Sequence, residues 1–209
     1  MTTLLRIDSS SRIENSHSRA LGDYVESGWR GLFPAGTVVN RDLARFPLEP
    51  IRQETIAGFY TPADQMTPEL REATALSDEL ISEVQSADML LLTVPIYNFS
   101  IPAALKAWID QVVRIGRTFS FDGTQFGGLT EPDTAVICAA YGAMGYERDG
   151  AFRAANFLEP YLEFLLTFLG VSNVDFVSLQ ATTADEATVA AGFSTAQSDI
   201  DRVMRTWQA

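Results

Sequence analysis

Met89-Leu90-Leu91-Leu92-Thr93-Val94, stopped by Pro95, decides the architecture. A strand with one wet face would alternate polar and apolar residues, and this run does not. It reads as a strand covered on both sides, which occurs in parallel sheets with helices on both faces. Ala135–Ala140 reads the same way. Thr3–Ile7, Thr37–Val39 and Val174–Leu179 are further β-leaning runs. Between them lie segments of helical period. His17–Leu32 turns Leu21, Tyr24, Val25 and Leu32 inward. Thr67-Pro68-Glu69 supplies a capping hydroxyl, a first-turn proline and a first-turn acid. The helix it starts runs to about Ser86, with Leu70, Ala73, Leu80, Ile81 and Val84 inward. Pro102 opens another, facing Leu105, Trp108, Ile109, Val112 and Val113 inward. Pro160 opens a helix ending at Gly170, and Asp185–Trp207 is the last. Leu43–Gln65, with Pro47, Pro50 and Pro62, reads as irregular.

Strands alternating with helices imply right-handed crossovers and a parallel sheet. The expectation is an α/β chain with a flavodoxin-like, doubly wound, five-stranded parallel sheet of order 2-1-3-4-5. Helices would cover both faces, and residues 1–209 would form a single domain. A dinucleotide-binding Rossmann turn would carry GxGxxG after the first strand. Here that turn is Asp8-Ser9-Ser10-Ser11, without glycine.

Composition narrows the function. The 209 residues are 46% hydrophobic and 20% charged, with 15 basic and 27 acidic side chains and a net charge of −12. That balance excludes a phosphate-backbone binder and disfavours an anionic membrane surface. The one cysteine, Cys138, and the one histidine, His17, exclude an intrachain disulfide and multi-Cys or multi-His metal sites. No metal is expected. Met1–Asp8 lacks the basic and long apolar regions of a secretory signal. No apolar run approaches the roughly 20 residues that span a bilayer. The expected location is cytoplasmic.

In open parallel sheets, ligands bind beyond the carboxyl ends of the strands, where strand order switches. The segments after the first, third and fourth strands therefore carry the candidates. Ser10, Ser16, His17 and Ser18 surround the start of the first helix, where free N–H groups and the helix dipole suit a phosphate. Ile96-Tyr97-Asn98-Phe99 mixes apolar, aromatic and amide groups, as a planar heteroaromatic ligand requires. Ala140-Tyr141-Gly142-Ala143 allows close backbone approach. A phosphate at one end and a flat ring at the other describe flavin mononucleotide, FMN. Cys138, inside a strand, reads as a buried inert thiol.

These residues resemble the FMN-dependent NADH-azoreductases, also called FMN-dependent NADH:quinone oxidoreductases, of the flavodoxin-like superfamily. The anchors are Asp8-Ser9-Ser10 with Ser16-His17-Ser18, Leu76-Ser77-Asp78-Glu79-Leu80-Ile81, Pro95-Ile96-Tyr97-Asn98-Phe99, and Pro160-Tyr161-Leu162 with Phe168-Leu169-Gly170. The resemblance implies that Ser10 and Ser16 to Ser18 hold the FMN phosphate and that Ile96 to Phe99 line the isoalloxazine. It implies a homodimer with sites at the subunit interface. The family's loop after the fourth strand often reads Ser-Arg-Gly-Gly, against Ala140-Tyr141-Gly142-Ala143 here. That departure bears on substrate preference more than on FMN binding. Phe59 and Tyr60 belong to a segment able to cover a partner's flavin. Phe119 and Phe121 are either substrate-pocket or core residues.

On this reading NADH or NADPH reduces the flavin, and a quinone or azo compound then takes the reducing equivalents at the same face, with ping-pong kinetics. No side chain acts as nucleophile, and Asn98 is the candidate for tuning the ring. The alternatives are a flavodoxin-type one-electron carrier to protein partners, which the acidic charge suits, and a non-catalytic flavin-binding module.

Overall fold

The computed structural model describes residues 2–207. In chain order the elements are β1 (Thr3–Asp8), α1 (His17–Leu32), β2 (Thr37–Asp42), α2 (Gln53–Tyr60), α3 (Pro68–Gln85) and β3 (Met89–Pro95). They continue with α4 (Ala103–Val112), β4 (Phe119–Phe121), β5 (Phe126–Gly128), β6 (Thr134–Ala140), α5 (Leu158–Leu169), β7 (Asn173–Leu179) and α6 (Glu186–Thr206). Five strands form one sheet in the order β2-β1-β3-β6-β7, all parallel, while β4 and β5 pair only with each other. Counting the strands of the main sheet alone, this is the expected order 2-1-3-4-5.

β3 is buried at every position. Leu90, Leu92 and Val94 join the core under α3, α4 and α5, with Trp108 and Leu162. Met89 and Leu91 join the core on the opposite face, under α1 and α6, with Trp29, Val25 and Ile200. The two-residue period of a strand sends neighbours to opposite faces, so both parities had to be apolar. Gly22 lets α1 lie close to β3: a Cβ there would stand 2.4 Å from Thr93 Cγ2. The close approach brings the start of α1 to the carboxyl edge of the sheet.

The helix starts follow local chemistry. Thr67 accepts a hydrogen bond from Leu70 N, and Pro68 occupies the first turn of α3. α5 starts two residues before Pro160, because Asn156 Oδ1 accepts from both Leu158 N and Glu159 N at 3.2 Å. Gly170 ends it at φ +113°, a backbone conformation glycine adopts without strain.

Other differences from the sequence reading lie in short or charged segments. Leu43–Gln65 is not wholly irregular. It contains α2 and a 3-10 turn at Ala63–Gln65, with Gly58 packed 2.5 Å, as measured to a hypothetical Cβ, from Thr74 Cγ2 of α3. β2 extends past Val39 to Asp42 because Arg41 reaches Glu79 and Glu83 and Asp42 meets Arg19. The β4–β5 hairpin has three-residue strands, too short to show a period.

Candidate functional site

Four segments converge beyond the carboxyl ends of β1, β3, β6 and β7 to enclose a cleft of about 360 Å³. From the first come Ser10, Arg12, Ser16, His17 and Ser18. Pro95, Ile96 and Tyr97 come from the second, and Ala140 and Gly142 from the third. Thr182 and Thr183, after β7, complete the wall.

α1 begins at the cleft. Ser16 is its N-cap, and the Ser16 and Ser18 hydroxyls lie 3.3 Å apart. The first N–H groups of any helix have no intrahelical acceptor. The first turn of α1 holds no acidic residue to use them. Among the described residues no carboxylate lines the cleft, while Arg12 and His17 do, in a chain of net charge −12. An anion is the ligand these groups select.

A buried ionic cluster fixes this loop from below. Arg19 donates to both carboxylate oxygens of Asp42 at 2.7 and 2.8 Å, and to the Ser10 carbonyl at 3.0 Å. Asp8 accepts from the Thr93 hydroxyl at 2.7 Å and from Arg6 Nε at 3.1 Å. Burial by itself would raise the Asp42 carboxyl. The hydrogen bonds from Arg19 and from the N–H groups of Arg45 and Ala44 outweigh it and hold the group at about 2. A depressed carboxylate contributes stability above its unfolded pKa and loses it as pH falls through the folded value. The depression corresponds to roughly 2 kcal/mol, lost between about pH 4 and pH 2. Asp42→Asn is expected to be less stable at neutral pH and to show a flatter acid limb. Urea unfolding midpoints at a series of pH values measure it, and an unchanged acid limb would remove Asp42 from the account.

The segment after β3 ends in a tight turn. Tyr97 N donates to Ser100 O at 2.9 Å and Ser100 N to Tyr97 O at 3.1 Å. Both central residues have positive φ, Asn98 at +48° and Phe99 at +74°. Two consecutive positive φ values are the type I′ pattern, which favours Asn then Gly. Asn98 fits it, but a bulky residue in Phe99's place costs of order 1–2 kcal/mol. Asn15 and Ala181, the other described non-glycine residues with positive φ, also lie in loops after β1 and β7. Strain of this kind gathers at binding sites. Phe99→Gly is expected to raise Tm by about 1–3 °C, strain relief exceeding the entropy cost of glycine. It should also weaken flat ligands, and a calorimetric scan beside a binding titration reads both effects.

Tyr97 crosses to the first segment, its hydroxyl accepting from Ser11 N at 3.3 Å. Ser9 is buried, and its hydroxyl donates to Thr93 O at 2.8 Å, so its role is structural.

Eight of the candidates read from sequence therefore share one cleft: Ser10, Ser16, His17, Ser18, Ile96, Tyr97, Ala140 and Gly142. Asn98 and Phe99 form the exposed turn that follows Tyr97. Ala143 is exposed at the far side of Gly142, and its carbonyl accepts from Ala181 N. The Tyr141 side chain turns away into the core. It stacks on Tyr146 at 4.9 Å, and its hydroxyl donates to Glu159 at 2.7 Å. Burial first, and the Glu159 carboxylate second, hold that phenol protonated. Burial also pushes the Cys138 thiol up to about 12.

Phe59, Tyr60, Phe119 and Phe121 do not line the cleft of their own chain. Phe59, in the last turn of α2, lies beneath the Arg114 guanidinium, whose carbon is 4.8 Å from its ring centre, and Tyr60 is exposed. Phe119 and Phe121 belong to the hairpin, packed with Phe126 and Phe168. That hairpin is tied to the opposite edge of the sheet through Thr130 N to Leu169 O and Glu131 N to Gln85 Oε1. Sequence reading missed Thr182 and Thr183. The signal available was a hydroxyl pair between the last strand and the Asp185 cap.

The flavodoxin-like fold family Flavodoxin_2 matches residues 2–203, which defines the class. An FMN-dependent NADH:quinone oxidoreductase of Xanthobacter autotrophicus is 54% identical over 175 residues, covering 84% of each chain. Another of that name, from Nostoc punctiforme, is 40% identical over 187 residues, covering 90% of this chain and 91% of its own. An azoreductase of Bacillus anthracis superposes with a TM-score of 0.84 at 24% identity, over 97% of this chain and 100% of its own. An FMN-dependent NADH-azoreductase from the same species, solved in complex with FMN, also gives 0.84 at 20% identity, over 98% and 100%. The chain belongs to the FMN-dependent NADH:quinone oxidoreductase family.

Proposed function

We propose that this chain is an FMN-dependent oxidoreductase passing reducing equivalents from NADH or NADPH to quinones and azo compounds by a ping-pong mechanism. One observation carries the reading: a helix start with no acid in its first turn shares one cleft with Ile96 and Tyr97, which lead into the strained Asn98-Phe99 turn. The names of the relatives support it. The cleft's volume of about 360 Å³ and its small residues Ala140 and Gly142 suit FMN. A Cβ on Gly142 would meet only Thr183, at 3.6 Å, so the wall is open to a ring.

The N–H groups of His17 and Ser18 and the hydroxyls of Ser10, Ser16 and Ser18 would hold the phosphate, with Arg12 at the rim. Ile96, Tyr97 and the backbone of Ala140 to Ala143 would line the isoalloxazine. Asn98 would hydrogen-bond its polar rim, and Phe99 would shield it. When bound, FMN supplies the redox chemistry, taking two electrons from the nicotinamide and passing them to the acceptor. The absorption spectrum before and after anaerobic NADH tests the reading: a yellow protein that bleaches is expected. A yellow protein that NADH leaves unchanged would favour the electron carrier, and one that takes up no FMN would overturn the reading.

Residues 1–209 act in this reading as one flavin-binding domain, and two copies pair. Tyr161, Phe164 and Phe168 share one stripe of α5, apart from its buried leucines, and the N-cap Phe157 continues it. Phe157 N donates to Phe99 O at 3.0 Å at one end, and Phe168 meets Phe126 at the other. This aromatic strip runs from the ring end of the cleft to the hairpin, and a second copy is its proposed cover. Phe164, 69% exposed, is replaceable without touching the core. Phe164→Glu should yield a folded monomer in sedimentation; a dimer of unchanged affinity would place the interface elsewhere. Among the described residues no helix is long and apolar enough to cross a membrane.

A further inference from the structure

A separate cavity of about 380 Å³ lies where the first turns of α2 and α3 meet α4, and it shares no wall residue with the cleft above. Glu49, Glu54, Glu69 and Glu72 stand around it. Among the described residues Arg52 is the one basic residue of its wall, and it is already paired with Glu49 at 2.7 Å. Gln111, only 3% exposed, lines the cavity from α4. Its Nε2 donates to the Glu49 carbonyl at 3.0 Å, and its Oε1 is buried without a hydrogen-bond partner. We propose that this cavity binds a linear aliphatic polyamine, with one ammonium on Gln111 Oε1 and the others among Glu54, Glu69 and Glu72.

Helix dipoles account for Glu54 and Glu69, each in the first turn of its helix. They do not account for Glu72, three positions beyond Glu69 on α3, where like charges repel. Nor do they account for Gln111. A buried acceptor without a donor costs free energy, and nearly all such groups in folded proteins find a partner. The missing partner is a donor, and it would stand beside carboxylates that Arg52 does not neutralise. An ammonium brings three N–H donors, no acceptor and a positive charge. A metal ion matches the site less well: among the described residues no three His, Cys, Asp or Glu side chains are grouped to hold one. Acids spread in this way suit a row of cations rather than a single point charge. Pro50, Ala73 and Leu76 supply apolar wall, against which methylene stems can pack. The net charge of −12 draws such cations toward the chain.

The full-length protein as purified is titrated with spermidine by calorimetry at low ionic strength. One saturable site per chain is expected. Glu54→Gln combined with Glu72→Gln, both at exposed positions, removes two charges from the wall and should weaken spermidine about tenfold or more. Glu131→Gln removes a charge beside Gln85, at the far end of α3, and should change the affinity less than about twofold. Gln111→Leu removes the orphan oxygen and should weaken binding about fivefold. Circular dichroism checks that each variant is folded, and if Gln111→Leu is not, the paired glutamate variant decides alone. Absence of saturable binding overturns the proposal. So does equal weakening by Glu131→Gln, which would report only the overall charge. Wild-type affinity in a folded Gln111→Leu protein overturns it too, as does magnesium ion alone binding as tightly as spermidine. None of these measurements depends on flavin, so the proposal stands or falls apart from the reading of the cleft.

Discussion

Ser16→Asp combined with Ser18→Asp is expected to expel FMN, raising its Kd more than about a hundredfold. The start of α1 offers free N–H groups with no acid in its first turn, and among the described residues no carboxylate lines the cleft. Two carboxylates placed there would meet the phosphate at close range. A pair of unit charges about 5 Å apart at an effective dielectric of about 20 repels by about 3 kcal/mol. Two such pairs exceed the roughly 2.8 kcal/mol that a hundredfold loss requires. Ser18 is fully buried, so the double substitution also burdens the fold. Ser16→Asp alone resolves this, because aspartate is as good an N-cap as serine. The single variant should fold normally and still lose at least about tenfold in FMN affinity. Titration of apoprotein with FMN, beside circular dichroism, reads both. Wild-type affinity in a folded Ser16→Asp protein would move the phosphate elsewhere.

Asn98→Ala and Asn98→Gly are expected to keep FMN and to slow its bleaching by NADH about tenfold. The amide sits on the turn beside the proposed ring site, and hydrogen bonds to ring polar atoms tune flavin electronics. Reduced flavin carries negative charge near N1, and a donor there favours the reduced state. A net hydrogen bond is worth about 0.5–1.5 kcal/mol and more to a charged partner, and about 1.4 kcal/mol in the transition state is tenfold in rate. Asn98 has φ +48°, so alanine adds backbone strain that glycine does not. A rate that falls only in the alanine variant reports strain. A fall in both reports the lost amide. The measurement is single-turnover bleaching under anaerobic conditions, and wild-type rates in both would reduce the turn to a passive wall.

The parts of this protein that sequence reveals are those fixed by neighbours along the chain. Met89–Val94 announces a strand buried on both sides because every residue in it is uncharged. Ser16-His17-Ser18 announces a helix start because a cap and its helix are contiguous. What stays hidden depends on distant partners or on geometry. Nothing near Arg41 or Asp42 indicates that Glu83 and Arg19 will neutralise them and let β2 continue. The positive φ values at Phe99 and Ala181 contradict what those residue types prefer. Tyr141 occupies a ligand-suited loop, yet its hydroxyl finds Glu159, eighteen positions on, and its ring leaves the cleft. Thr182 and Thr183 follow a strand that sequence does mark, so their place at the site came from topology rather than motif.

Quinones are electrophiles that capture thiolates by conjugate addition, so a protein that turns them over exposes its own cysteines to arylation. This chain has a single thiol, Cys138, fully buried in the middle of β6. Burial pushes it up to about 12, so almost none is ionised at neutral pH. A chain so built carries no sulfur nucleophile within reach of its proposed acceptors. Its turnover should therefore persist through repeated cycles of quinone without a sacrificial thiol in the buffer.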